Sequence, residues 1–264
     1  MVIRVIIVYM NWYTQRRFMY GGAVLFFITA LALYTLRDSL FPAPTCFDSV
    51  KNGNENGIDC GGTCSLKCSQ DVVPLSVSWS RALKTSSTTY DFVAMISNKN
   101  IDSSPRALPY TFTALSNEGT VLAVVSGTTS APVDGEFPVV RQNIVLSETP
   151  KELVASITDG PHFTVKELPT SPTLKITSTR YEAGSIPRVY AVISNTKRVT
   201  ISNLPVRVLL YDINGNSFAT GETLIPFLDK EQTKEISFTW NTPFASAPTR
   251  ILVYPIFDPF TSSQ

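Results

Sequence analysis

Four cysteines lie close together in the first third of this chain and are its clearest candidates for chemistry. They stand at Cys46, Cys60, Cys64 and Cys68, in a segment with almost no apolar residues to bury. A segment this small and polar needs covalent or metal cross-links to hold one shape. Two disulfides are the main prediction, and the sequence does not choose among the three pairings. A zinc site is the alternative, although the spacing lacks the usual Cys-x-x-Cys pair.

Between these cysteines, oxygen-bearing side chains alternate along a short loop that contains two Asn-Gly pairs. The candidate ligands are Asn52, Asn54, Asn56 and Asp59. Alternating oxygen ligands followed by a glycine are how a tight loop wraps a hard cation such as Ca²⁺. However, the first ligand is Asn rather than Asp, no bidentate Glu follows at the proper distance, and Asn-Gly pairs are also common turn formers. A calcium site and plain turns therefore remain alternatives, and no other cofactor is predicted.

His162 is the only histidine, so a Ser-His-Asp or Cys-His catalytic site would have to use it. It lies between Pro161 and a predicted strand, and we expect a solvent-exposed linker residue. No nucleophile elbow, zinc-protease motif or phosphate-binding loop is present. The chain is therefore predicted not to be an enzyme. A carboxylate-dependent hydrolase is the least favoured alternative, since a catalytic carboxylate pair has no fixed spacing.

An uncharged stretch at residues 18–36, between Arg17 and Arg37, is predicted to be a transmembrane helix. A helix of this length reaches about 28 Å, close to the roughly 30 Å hydrocarbon core of a bilayer. Arg4, Arg16 and Arg17 precede it without an acid, which places the N-terminus in the cytoplasm. Clustered cysteines beyond it favour an oxidising compartment on the other side. A cleavable signal peptide, cut after Ala30-Leu31-Ala32, is the competing interpretation.

The rest of the chain has the composition of a β-sandwich protein. Charged residues make up 16% of the sequence, and the net charge is +1 without a basic patch. Nucleic acid is therefore excluded as a partner. Apolar and polar residues alternate in short runs, for example from Leu75 to Ser80 and from Ile236 to Trp240. Such alternation predicts strands with one face on a core, and the two tryptophans in these runs, Trp79 and Trp240, are predicted core residues.

This β region repeats itself along the chain. Residues 92–98 match residues 189–195 at an offset of about 97, and Leu108-Pro109 matches Leu204-Pro205 at nearly the same offset. Gly119 and Gly215 also correspond, each in a predicted hairpin turn. About 95 residues of evenly spaced strands suit one immunoglobulin-like sandwich. The predicted fold is therefore all-β, with two tandem immunoglobulin-like β-sandwiches.

Two short motifs carry a family resemblance. The run from Asp59 to Cys64, Asp-Cys-Gly-Gly-Thr-Cys, resembles a Cys-rich motif of membrane-anchored surface proteins from uncultivated candidate-phylum bacteria. The run from Val208 to Asp212 is similar to the Phe-x-Leu-Tyr-Asp signature of a bacterial immunoglobulin-like family, with Val in place of Phe. The resemblance implies a single N-terminal span followed by immunoglobulin-like domains. It implies no activity.

These observations predict a modular organisation. Residues 1–17 form a cytoplasmic N-terminus, 18–36 the transmembrane helix and 37–70 a spacer with the Cys-rich segment. Residues 71–165 and 173–264 form the two sandwiches, joined by a proline-containing linker at 166–172. The expected partners are the lipid bilayer and an extracytoplasmic protein. The predicted function is non-catalytic binding, envelope structure or adhesion outside the membrane. The alternative is an accessory subunit of an envelope or export complex.

Overall fold

The computed structural model describes residues 12–40, 43–165, 174–196 and 200–260. The predicted linker at 166–172 and most of the predicted N-terminal segment lie outside these ranges. The described chain is an N-terminal helix, a disulfide-linked segment, and two immunoglobulin-like β-sandwiches. The predicted all-β fold is therefore confirmed.

Helix α1 spans Trp12–Leu40 and is longer at both ends than the predicted stretch. The flanking residues are compatible with a helix, and no proline occurs until Pro42, so nothing ends the helix at the apolar boundary. Within it, the 23 residues Gln15–Arg37 have a mean hydropathy of 1.8, and no side chain of this window is buried. By length and composition, this is the one described helix able to cross a bilayer. A cleaved signal sequence has the same properties.

The first sandwich contains two three-stranded antiparallel sheets and a small two-stranded sheet. One sheet has the order β1-β2-β6, the other has the order β5-β4-β7, and β3 pairs with β8. The strands are β1 Ser76–Lys84, β2 Thr89–Asn98, β3 Ser103–Pro105, β4 Leu108–Leu115, β5 Val121–Thr129, β6 Gly135–Val145, β7 Glu152–Ile157 and β8 His162–Thr164.

The second sandwich has the same order of strands. Its sheets are β9-β10-β13 and β12-β11-β14. The strands are β9 Leu174–Glu182, β10 Arg188–Asn195, β11 Ile201–Tyr211, β12 Ser217–Leu228, β13 Thr233–Thr239 and β14 Arg250–Pro255. The matched segments 92–98 and 189–195 both lie in the central strand of the corresponding sheet.

Each sandwich encloses its own apolar core, as the alternation in the sequence predicts. In the first, Phe92 of β2 and Phe112 of β4 are almost fully buried, with ring centroids 5.9 Å apart. In the second, Val189, Val208 and Phe238 are buried in a separate cluster. The two predicted hairpin turns, at Glu118-Gly119 and at Asn214-Gly215, are both present. Gly119 and Gly215 adopt positive φ angles of 79° and 76°. The turn glycines therefore supply a backbone conformation that side chains disfavour.

Candidate functional site

The four cysteines form two disulfides. Cys46 pairs with Cys64, and Cys60 pairs with Cys68, so the two covalent loops overlap. The sequence left this pairing open. Cys46, Glu55 and Cys64 lie close enough together to suggest a metal site. Both sulfurs are consumed by the disulfide, however, and offer no thiolate for zinc.

Carboxylates organise the loop between the cysteines by accepting backbone hydrogen bonds. Asp59 accepts from the N–H of Asp48 at 2.9 Å and from the N–H of Ser49 at 2.9 Å. Glu55 Oε2 accepts from the N–H groups of Asn52 and Asp59, both at 3.3 Å. Asn52 Nδ2 donates to Asp48 at 2.8 Å, and this bond is the main cause that lowers the pKa of the Asp48 carboxyl. The loop is thus held by its own donors.

The Gly-Gly pair allows this loop to fold back on itself. Gly61 and Gly62 have φ angles of 72° and 59°. A Cβ on Gly62 would stand 1.5 Å from the carbonyl oxygen of Asn54, and one on Gly61 would stand 2.7 Å from Asn56. Only glycine fits at both positions, because side chains would collide with the loop. This contact explains the Cys-Gly-Gly-Thr-Cys run physically.

Calcium binding by Asn52, Asn54, Asn56 and Asp59 stays a prediction. Asn52 Oδ1 is buried and has no hydrogen-bond partner, whereas the Asp59 oxygens already accept N–H groups. A cation would therefore bind the Asn52 oxygen readily. At Asp59 it would compete with the N–H groups that already donate to the carboxylate. We expect added Ca²⁺ to slow proteolysis of residues 46–68, with a smaller effect in an Asn52→Ala variant. Equal rates of digestion with Ca²⁺ and with chelator would indicate plain turns without a calcium site.

The Cys-rich segment is fixed to one end of the first sandwich. Lys67 Nζ lies 2.6 Å from Asp102, and the Lys67 N–H donates to the carbonyl of His162 at 2.9 Å. The N–H of Thr164 donates to Ser65 at 2.7 Å. Because backbone and side chains both contribute, the segment is a rigid extension of the sandwich rather than a flexible spacer.

His162 is buried, and the expectation of an exposed linker residue is wrong. The residue begins strand β8, pairs with Pro105 of β3, and is 3% exposed. Its Nε2 lies 2.9 Å from Asp159 Oδ1, while its Nδ1 is buried without a partner. The docked Cys-rich segment covers the strand. That long-range contact could not be seen in the local sequence around Pro161.

Asp91 is the one buried acid among the described residues, at 3% exposure in strand β2. It accepts a 2.9 Å hydrogen bond from the N–H of Asn143, where the pairing of β2 with β6 is irregular. Asn143 itself has a φ of 61°. Burial raises the pKa of the Asp91 carboxyl, and the bonds from Asn143 and Gln142 offset this only in part. The carboxylate therefore has a role in holding this irregular turn of the sheet.

An Asp91→Asn variant tests the cost of burying this charge through its pH dependence. Since burial raises the folded-state pKa, the wild-type protein loses stability as pH rises from the unfolded-state pKa through the folded one. Asparagine keeps an oxygen for the Asn143 N–H and carries no charge. We expect the variant to gain stability relative to wild type as pH rises from about 3 to 7. Urea unfolding across this range measures the difference; one that does not change with pH contradicts the assignment.

The two sandwiches pack against each other through a third apolar cluster. Met95 and Val140 from the first sandwich meet Leu209 and Tyr211 from the second, and all four are buried. Tyr254 packs beside them, and burial raises the pKa of its phenol. At the rim, Arg81 donates to Asn216 at 2.8 Å. The sandwiches are therefore joined by a largely apolar interface between their sheets.

Arg207 is the main polar group of this junction. It lies on β11, is 7% exposed, and its Nη1 donates to the carbonyl of Pro138 at 2.6 Å and to Thr129 at 3.3 Å. Its Nε donates to Glu222 at 2.6 Å. One guanidinium thus connects the second sandwich with two strands of the first. The planar fork of arginine suits such divided bonding.

The two tryptophans predicted as core residues have different positions. Trp240 is 9% exposed in the second core and donates to the carbonyl of Thr220 at 2.9 Å. Trp79 is only partly buried and packs on the junction cluster. It borders a cavity of about 190 Å³ that Arg81, Tyr211 and Ser217 also line. Trp79 is therefore a residue of the interface between the sandwiches.

The comparisons with known proteins show no family. No protein-family model matches the chain, and no curated protein matches it. Red sea bream transglutaminase aligns with 71% of this chain and 30% of its own, at 14% identity and a TM-score of 0.22. The CBM22-1–CBM22-2 tandem domain of Xyn10C from Paenibacillus barcinonensis aligns with 70% and 85%, at 8% identity and a TM-score of 0.13. This chain spans under a third of the transglutaminase, and likenesses this weak carry no argument.

Proposed function

We propose that the protein is a membrane-anchored, non-catalytic protein that presents its two sandwiches outside the cytoplasm for binding, envelope structure or adhesion. The observation that carries the proposal is helix α1, whose apolar window is entirely exposed. Phe26 and Phe27 are 68% and 71% exposed, so no described part of the chain covers them. Burying such a surface in lipid is strongly favourable, whereas exposing it to water is costly.

The disulfides support the orientation. Both bonds follow the helix by fewer than thirty residues, and structural disulfides persist in oxidising compartments. The Cys-rich segment is fixed to the first sandwich, and the first sandwich to the second. The Cys-rich segment and the two sandwiches therefore form one stiff body, which suits the presentation of a binding surface.

Membrane extraction and protease protection test the proposal. We expect the full-length protein to resist alkaline carbonate, to dissolve in detergent, and to lose its sandwiches when protease is added to intact cells. Intact-mass measurement should show a mature chain that still contains the residues before Ala32. Release by carbonate, or a mature chain that starts after Ala32, would reject the anchor. A stoichiometric partner captured by crosslinking within the membrane would favour the accessory-subunit role instead.

A further inference from the structure

Strand β5 lacks the protection that the other edge strands of the three-stranded sheets have. It lies at the end of the order β5-β4-β7 and contains neither a charged residue nor a proline. Exposed edges are usually blunted by such residues, because their unpaired N–H and C=O groups can pair with another chain. Each of the other edge strands of the described three-stranded sheets carries at least one charge: Arg81, Arg141, Glu152, Lys175, Glu222, Lys234 and Arg250.

Among the edge strands of the three-stranded sheets, β5 also has the least cover from the described elements. Its extensive contacts are with β4 alone. By contrast, β1 packs along β7, where Ser80 donates to the carbonyl of Leu153 at 2.6 Å. Strand β12 packs against β13 and against the first sandwich. Val121 and Val124 of β5 are 58% and 60% exposed, as expected for an open edge.

Two contacts reduce the length of β5 that is free to pair with another strand. At the C-terminal end of β5, Thr129 is buried against Arg207 of the second sandwich. In the middle, Arg141 Nη2 lies 3.4 Å from the carbonyl oxygen of Ser126, a long bond from an exposed side chain. A pairing strand would displace this guanidinium and use residues 121–128. Seven to eight residues of pairing are within the usual length of a strand.

We propose that β5 of one copy pairs antiparallel with β5 of a second copy, which joins two three-stranded sheets into one six-stranded sheet. The absence of charge on β5 favours a second copy as the partner. In a two-fold pairing a strand faces its own sequence, so like charges at or near the axis oppose each other. β5 has no charge to oppose, and its valines and threonines suit cross-strand packing. The proposed membrane anchor would also hold two copies side by side in one bilayer. The pairing does not require this anchor.

A pair of matched lysine variants of the full-length protein in detergent tests the pairing. Val124 lies on the open edge, whereas Val145, 72% exposed, ends strand β6 of the other sheet. We expect wild type and Val145→Lys to dimerise equally, and Val124→Lys to raise the dimer dissociation constant at least tenfold. Sedimentation or mass photometry measures this. A monomeric wild type at all accessible concentrations, or equal effects of both lysines, would overturn the proposal.

Crosslinking locates the contact independently of these variants. When residues 121–127 pair with themselves, Val124 lies opposite Val124 of the second copy, so we expect Val124→Cys to give a covalent dimer on mild oxidation and Val145→Cys to give none. Arg141→Ala should strengthen dimerisation, because it removes the guanidinium from the edge carbonyl. A dimer that crosslinks only through Val145→Cys would assign the contact elsewhere. Membrane extraction is scored separately, so failure of the anchor and failure of the pairing are distinguishable.

Discussion

Replacing Arg207 with alanine is expected to destabilise the joined sandwiches by about 2–3 kcal/mol. The substitution leaves the Pro138 carbonyl at the junction without its donor and Glu222 without its partner. Glu222 is partly exposed and can turn to water, which is why the expected loss lies below that of a fully buried pair. Urea unfolding of the two sandwiches measures the loss, and hydrogen exchange should show it first at β6 and β11.

The matched control is Arg180→Ala. Arg180 also pairs with a glutamate, Glu182, but both side chains are more than half exposed. Its loss is expected to cost less than about 0.5 kcal/mol. Arg207→Lys keeps the charge without the planar fork and should recover only part of the stability. If Arg207→Ala and Arg180→Ala cost the same, Arg207 does not hold the junction.

Removing the Cys46–Cys64 disulfide with a double alanine variant is expected to destabilise the Cys-rich segment by about 3 kcal/mol. The bond closes a loop with a sequence separation of 18, and the segment has little apolar core to replace it. The population of opened segments should rise on the order of 100-fold, and tryptic cleavage after Lys51 should rise with it. Peptide mapping over time gives the rate.

The Cys60–Cys68 bond provides the comparison. Its separation is 8, so the same chain-entropy estimate gives about 2.5 kcal/mol, a smaller effect than for the longer loop. Neither double variant should change the melting of the sandwiches, whose cores contain no cysteine. A large fall in the melting temperature of the sandwiches in either variant would show that the segment is part of the sandwich core rather than an extension of it.

Local patterns in the sequence predicted the regular elements well. Alternation in runs such as that ending at Trp240 gives the strands, because period two puts alternate side chains on one face. The turn glycines at 119 and 215 give the hairpins, because they supply positive φ. The uncharged stretch at 18–36 gives the helix but not its ends, which depend on where the backbone meets a residue that stops it.

Features made by distant contacts could not be predicted in this way. His162 looked like a linker residue because only Pro161 was informative nearby, yet residues 65–67 cover it. The cysteine pairing is set by how the loop folds back on itself, with the Asn54 carbonyl against Gly62. Arg207 lies in a strand whose apolar sequence predicts a core strand. Its partners on β5 and β6 are some seventy residues away in the sequence. Tertiary packing decides all three.

The overlapping disulfides determine how a force applied to α1 would reach the sandwiches. A pull on α1 enters at Cys46, crosses directly to Cys64 and leaves through Cys68, so the Asn/Gly loop between them bears no tension. The weak turns of that loop are spared, and the tether stays short while the bonds are intact. Reduction would release the loop and lengthen the tether by roughly 60 Å. The thiol state of two bonds thus sets the reach of the sandwiches under force.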